Sequence, residues 1–315
     1  MLPADATITY AEHALDVLDA AVALIGGGQA CALVVSLAIE GGAAREVGSL
    51  AVVAQNGAMT GYLSNGCIDR DIVHQGLAAL ASGQVRPVRY GAGSPFMDLK
   101  LPCGGALSLV IDPAPDLGTL RAARDALRAR TSAVLSFCPD TGLIAGGAGP
   151  VRFRYAPKPA LVLAGRGAIL RATADLAARL DFDLHIASPD AADLETCAAL
   201  GPTSLQRMTS PDLPLNLPVD AHCAVLLLFH DHEWEQTILH RAAPMRPFFI
   251  GAMGSKKTHA IRLQNLRDRG LSDALCDTIR GPVGLVASLR HAPAIAVSAL
   301  AEVIAHVPPL QMRLA

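Results

Sequence analysis

Leu161-Val162-Leu163-Ala164-Gly165-Arg166-Gly167 decides how the second half of the chain is read. A short apolar run, the length of a buried strand, passes directly into Gly-x-Gly. The first glycine permits a tight turn, and the second lets a pyrophosphate approach the backbone at the N-terminus of the next helix. Downstream, strand-like runs at 160–164, 182–187, 223–229 and 247–250 alternate with helical patterns at 168–180, 191–200, 233–242 and 255–269. A last helix, about 293–306, follows the turn Gly281-Pro282-Val283-Gly284. Such alternation predicts βαβ units and a Rossmann-like, doubly wound parallel sheet. The fingerprint is incomplete. The third small residue is replaced by Leu170, and the acid expected at the end of the second strand by Ser188, with Asp190 two residues on. NAD(P) or FAD is therefore not expected as a redox cofactor.

Upstream, Ala156-Pro157-Lys158-Pro159 carries two prolines in four residues and reads as an extended connector. It divides an N-terminal domain, 1–155, from the linker, 156–159, and the Rossmann-like domain, 160–315. The first domain begins with a helical pattern at 11–26 and a β-branched strand, Cys31 to Ile39. Gly48 to Ala54, the turn Gln55-Asn56-Gly57 and Met59 to Leu63 predict a hairpin. A helix at 69–82 closed by Gly83, strands at 85–90 and 106–111, a helix at 116–130 and strands at 134–137 and 151–155 complete an α+β domain.

Across the 315 residues, 26 basic side chains nearly balance 28 acidic ones, which argues against a polybasic binder of nucleic acid or membrane. Hydrophobic residues make up 51% but aromatics only 4%, so the cores are built from Ala, Val, Leu and Ile. No apolar run approaches the roughly 18–20 residues of a membrane span, and the N-terminus lacks a signal-peptide pattern; a cytoplasmic protein is expected. Seven cysteines without a CxxC suit neither a disulfide scaffold nor a zinc ribbon. Cys31, Cys197 and Cys223 lie on apolar or helical patterns and read as packers.

Four loops carry the candidate chemistry. Ser64-Asn65-Gly66-Cys67-Ile68-Asp69 and Leu101-Pro102-Cys103-Gly104-Gly105 place cysteines in glycine-flanked turns, open to ligand contact or sulfur chemistry. The alternative is a small residue buried in a tight turn. Phe229-His230-Asp231-His232-Glu233 follows a strong apolar strand; its imidazoles and acids could ligate a metal or pass a proton, or Asp231 could simply cap a helix. Gly251-Ala252-Met253-Gly254-Ser255-Lys256-Lys257 leads into a helix with exposed amides, a capping serine and two cations, which suits an anion such as phosphate; the alternative is a merely solvated lysine pair.

Together, GYLSNGCID (61–69), LPCGG (101–105), HDHE (230–233), FIGAMGSKKTHAIRLQNL (249–266) and AIAVSALAEVIA (294–305) resemble the XdhC family of molybdenum-hydroxylase accessory proteins, in order and over nearly the whole chain. The resemblance implies a homodimeric, cytoplasmic maturation factor without turnover of its own. Such a protein binds the molybdenum cofactor, a molybdopterin, protects it while a cysteine desulfurase supplies its sulfido ligand, and inserts it into apo xanthine dehydrogenase or a related hydroxylase. On that reading Gly254, Ser255 and Lys256 hold the phosphate end, and Cys67 and Cys103 lie near the molybdenum. Gly104, Gly105, Gly165, Gly167, His230, Asp231 and His232 complete the expected cofactor contacts. Val286-Ala287-Ser288 and Ala294-Ile295 depart from the family's glycine-rich stretch and acidic pair.

Two other functions fit parts of the pattern. One is an NAD(P)-dependent oxidoreductase using His230 or His232 as general acid or base. The other is a sulfur relay carrying a persulfide on Cys103.

Overall fold

Strand Cys31–Glu40 is apolar at nearly every position because both of its faces are covered. Ala32 and Val34 point to one core, whereas Cys31, Leu33, Val35 and Leu37 point to another. The computed structural model describes residues 7–94, 104–212, 216, 218–230 and 233–314. It divides into two units, Met1–Pro157 with Pro309–Ala315, and Lys158–Pro308.

The first unit runs β1 (Ile8–Thr9), α1 (Ala14–Gly26), β2 (Cys31–Glu40), β3 (Leu50–Ala54), β4 (Met59–Gly61), α2 (Asp69–Ser82), β5 (Arg86–Gly91), β6 (Ala106–Asp112), α3 (Leu117–Arg128), β7 (Ala133–Cys138), β8 (Gly142–Ile144) and β9 (Val151–Tyr155). Its larger sheet has the order β1-β4-β3-β2-β6-β5, antiparallel except for the β1–β4 pair. One face packs on α2 through Ile72, Val73 and Ala79. There Gly76 is needed, because a Cβ would stand 2.9 Å from the Val53 side chain. The other face meets α1, α3 and a second sheet through Leu18, Leu120, Phe137 and Phe153. Gly83 closes α2 in the left-handed conformation, and the Asp116 carboxylate caps α3 by accepting from Thr119 N.

The second unit runs β10 (Ala160–Gly165), α4 (Gly167–Ala177), β11 (Asp183–Ser188), α5 (Ala191–Ala198), β12 (Ser204–Arg207), β13 (Cys223–Leu228), α6 (Glu233–Ala242), β14 (Phe249–Ala252), α7 (Lys256–Asp268), α8 (Asp273–Cys276), β15 (Ile279–Arg280) and α9 (Ala292–Ile304). All six strands are parallel in the order β12-β11-β10-β13-β14-β15. Counted within the unit this is 3-2-1-4-5-6, the doubly wound Rossmann order. Along β13, Val225 and Leu227 face α6 and α7, while Ala224, Leu226 and Leu228 face α4 and α9. Both faces are buried, so the strand carries no polar alternation.

Sequence pattern extends the second domain over 160–315, but the chain's last strand, β16 (Gln311–Leu314), belongs to the first unit. It pairs antiparallel with β9, from Gln311 opposite Tyr155 to Leu314 opposite Arg152. Gln311 Nε2 donates to Ser49 Oγ at 3.1 Å. The pairing satisfies the open edge of β9, a gain that depends on where the chain end falls in space.

Candidate functional site

In a doubly wound sheet, ligands gather beyond the carboxyl ends of the strands. At the β10–α4 turn the usual phosphate position is already committed. The amide of Gly167, which has a φ of 76°, donates to the Asp193 carboxylate at 2.6 Å, and Arg171 Nε donates to the same carboxylate at 2.5 Å. Asp193 is wholly buried. Gly165 is required by packing, since a Cβ there would lie 2.7 Å from Leu228. Leu170, in place of the third small residue, fills the core between α4 and the sheet. Ser188 Oγ accepts from Asp190 N, and Asp190 in turn caps α5.

Beyond β14 and β15 lies a cavity of about 640 Å³. One wall is Met253, Gly254, Ser255 and Lys256; the other is the 282–289 segment, with Ile295 and Ser298 of α9. Ser255 caps α7, its Oγ accepting from Thr258 N at 3.1 Å, and its carbonyl takes the amide of His259. The amides of Lys256 and Lys257 have no intrahelical partner at such a helix start. Gly254 has a φ of 134°, and a Cβ would stand 2.9 Å from Thr258 Cγ2. Free amides, a lysine and a turn that admits no side chain suit an oxyanion.

Both walls are braced from behind. Arg262, fully buried, pairs with the fully buried Glu235 at 2.8 Å and donates through Nη2 to the Met253 carbonyl at 2.5 Å. Its Nη1 donates to His259 Nδ1 at 3.2 Å. Burial and the Arg262 charge hold His259 below its ordinary value, so the ring is neutral and able to accept. On the opposite wall the Glu302 carboxylate accepts from Gly284 N at 2.5 Å, and Ser298 Oγ accepts from Val286 N at 2.8 Å. These braces join residues that no local sequence motif marks, though for the second pair a signal is present, as Ser298 and Glu302 are the polar positions of an otherwise apolar helix.

In the first unit, Cys67 is exposed in the turn after β4. Behind it the buried Asp69 carboxylate accepts from the amides of Leu63, Ser64 and Gly66 at 2.6–3.1 Å, and Ser64 Oγ accepts from Ile68 N. This network fixes the loop and leaves the thiol outward. Strand register puts the turn on the sheet edge at which β2 and β5 end and β6 begins. Gly104 opens on that same edge with a φ of 69° and space around its Cα. Gly105 instead packs against backbone, where a Cβ would meet Gly42 O at 2.4 Å. Cys103, Asp231 and His232 lie outside the described residues. His230 is exposed after β13.

Cys31 is buried and pushed up to about 11 by desolvation and the nearby Asp112 carboxylate, as expected of a packer; Cys197 and Cys223 are buried too. Cys138, which the sequence reading passed over, sits half-exposed at the β7–β8 turn. The Asp140 amide and the Thr141 hydroxyl and amide hold its thiol below the ordinary cysteine value. Among the described residues, no group of three or more His, Cys, Asp or Glu side chains is placed to hold a metal ion, and no helix is long and apolar enough to cross a membrane.

Residues 161–303 match the model of the XdhC Rossmann domain, and residues 24–91 match that of the XdhC and CoxI family. A relative from Escherichia coli (strain K12), the molybdenum cofactor insertion chaperone PaoD, is 34% identical over 299 residues, covering 91% of this chain and 86% of that protein. The chain belongs to the XdhC family. A second E. coli protein, the uncharacterized YqeB, is 22% identical over 258 residues, 80% of this chain but 39% of its own length. The fold of this XdhC member is shared with a Bacillus halodurans protein described as a xanthine dehydrogenase. That structure has a TM-score of 0.73 at 20% identity, with 92% of this chain and 95% of that one covered.

Proposed function

We propose that this XdhC family member is a molybdenum cofactor insertion chaperone. It holds the cofactor while a cysteine desulfurase sulfurates it, then delivers it into apo xanthine dehydrogenase or a related molybdenum hydroxylase. The carrying observation is the 34% identity, over 91% of this chain, with PaoD, whose name states molybdenum cofactor insertion. The reading further takes the protein to be a cytoplasmic homodimer that catalyses no reaction of its own.

The cargo carries a phosphate at one end and a metal with sulfur ligands at the other. Gly254, Ser255 and Lys256 fit the phosphate, because the α7 amides and the lysine offer donors and the turn excludes a side chain. Cys67 fits the metal end, since its thiol is exposed on a loop held rigid by Asp69. Cys103 is assigned the same role by its glycine-flanked motif. His230, Asp231 and His232 are assigned as further cofactor contacts. Gly165 and Gly167 take no part in this proposal, as the Gly167 amide is held by Asp193.

Anaerobic gel filtration with the cofactor, followed by molybdenum and pterin analysis, tests the reading. Wild type should retain close to one equivalent, and Cys67→Ala and Ser255→Asp should lose it. Aspartate caps a helix as well as serine does, so Ser255→Asp adds charge at the phosphate position without removing the cap. Retention by Ser255→Asp overturns the phosphate assignment, and no retention by wild type overturns the function.

A further inference from the structure

We infer that the first unit carries a second, separate anion site, suited to a small organic phosphate of nucleoside monophosphate type, in the arginine-lined cavity at the β5 edge of its larger sheet. The cavity has a volume of about 610 Å³, within the range of small-molecule sites. Its polar lining is Arg86, Arg89, Arg313, Gln75 and Ser108, with no carboxylate among the lining residues.

The three guanidinium groups are held differently. Arg89 is neutralised: its Nη2 donates to both Glu40 oxygens at 3.0 Å, Nη1 to Ser108 Oγ at 3.0 Å and Nε to the Ala92 carbonyl at 2.8 Å. Arg86 and Arg313 have no ion-pair partner among the described residues. Arg86 is aimed by a half-buried relay. The Tyr90 hydroxyl donates to Asp71 Oδ2 at 2.6 Å, Gln75 Nε2 donates to the same oxygen at 3.4 Å, and Gln75 Oε1 accepts from Arg86 Nη2 at 2.9 Å. Arg86 Nε is buried and has no hydrogen-bond partner. Among the described residues Arg86 makes no hydrogen bond other than the one to Gln75, so its Nη1 is left for an oxyanion in the cavity.

Arg313 reaches the cavity from β16, where it stands opposite Phe153 of β9. The strand that the sequence reading assigned to the other domain thus supplies one of the two free cations. Between the charges the lining is aliphatic, with Leu37, Val88, Leu109 and Val151 offering a surface for the organic part of the ligand. Two free guanidinium groups beside an apolar wall recognise a phosphate on a ring system, and neither feature alone would.

Titration calorimetry with AMP and with adenosine tests the site in full-length protein carrying Ser255→Asp, which blocks the anion position on the other unit. That protein should bind AMP and not adenosine, with affinity falling as salt rises. Adding Arg86→Ala or Arg313→Ala should weaken AMP by about tenfold or more, the worth of one charge-assisted hydrogen bond. Arg313 is exposed on an edge strand, so its variant reads binding even if Arg86→Ala lowers the melting temperature. The inference is overturned by any of three results: no saturable heat at millimolar AMP, adenosine binding as tightly as AMP, or unchanged AMP affinity in the Arg313→Ala protein. Because the cofactor itself is absent from the experiment, failure here leaves the chaperone reading standing.

Discussion

Replacing Glu235 by glutamine keeps the shape of the Glu235–Arg262 pair and removes one of its charges. Both side chains are fully buried, so the Arg262 cation would remain in the core without a counter-charge. Removing one partner of such a pair costs about 3–5 kcal/mol, whereas replacing both by apolar groups is often close to neutral. For a unit of this size the single substitution should lower the melting temperature by roughly 6–20 °C. The Glu235→Leu/Arg262→Met double variant should recover most of that. It stays about 1–2 kcal/mol below wild type, because the Met253 carbonyl loses its donor at 2.5 Å. The chain's one tryptophan, Trp234, packs partly buried beside Glu235 against the Rossmann core, so its fluorescence in a urea titration reports this unit directly. A cost under about 1 kcal/mol for Glu235→Gln, or a double variant no more stable than the single, would refute the ionic brace. Loosening the Met253–Gly254 turn should also weaken cofactor retention in the double variant even where the fold is restored.

Iodoacetamide at mildly alkaline pH, followed by peptide mass spectrometry, should label Cys67 and Cys138 first; Cys31, Cys197 and Cys276, all raised by burial, should be the slow sites. Early labelling of Cys31 would contradict its burial. Because folding lowers His259 below 6.5, the unfolded chain binds more protons just below that pH, and stability contributed by the neutral ring is lost as pH falls from about 6.5 toward the folded value. His259→Gln should flatten that part of the melting curve against pH, and an unchanged slope would assign the dependence elsewhere. Gly105→Ala should destabilise the first unit, because its Cβ would collide with Gly42 O, and unaltered melting would mean that the glycine is kept for ligand access instead.

The Rossmann half was readable because each of its central strands is buried on both faces. Continuous apolar runs such as Cys223 to Leu228 therefore separate cleanly from the helical patterns between them. The strands β12, β15 and β16 were not readable. They are short and carry no continuous apolar run, and each exists because a neighbouring edge needs a partner. Within the candidate site, Gly254, Ser255 and Lys256 were legible from local chemistry, since a cap and its free amides depend on residues close in sequence. What backs them was not, as Arg262 meets Glu235 across 27 residues.

By itself, then, the sequence determined the two-part α+β and Rossmann architecture, the helix caps and the loops at the strand ends, all of which follow from short-range patterning. Only the tertiary structure decided that Asp193 occupies the amide a dinucleotide would use, that the 282–289 segment walls the cavity beside Gly254, Ser255 and Lys256, and that Arg313 closes a basic pocket in the first unit. Those facts depend on groups far apart in the chain meeting across a buried interior, where each polar atom must find a partner, and no local pattern records which partner it finds.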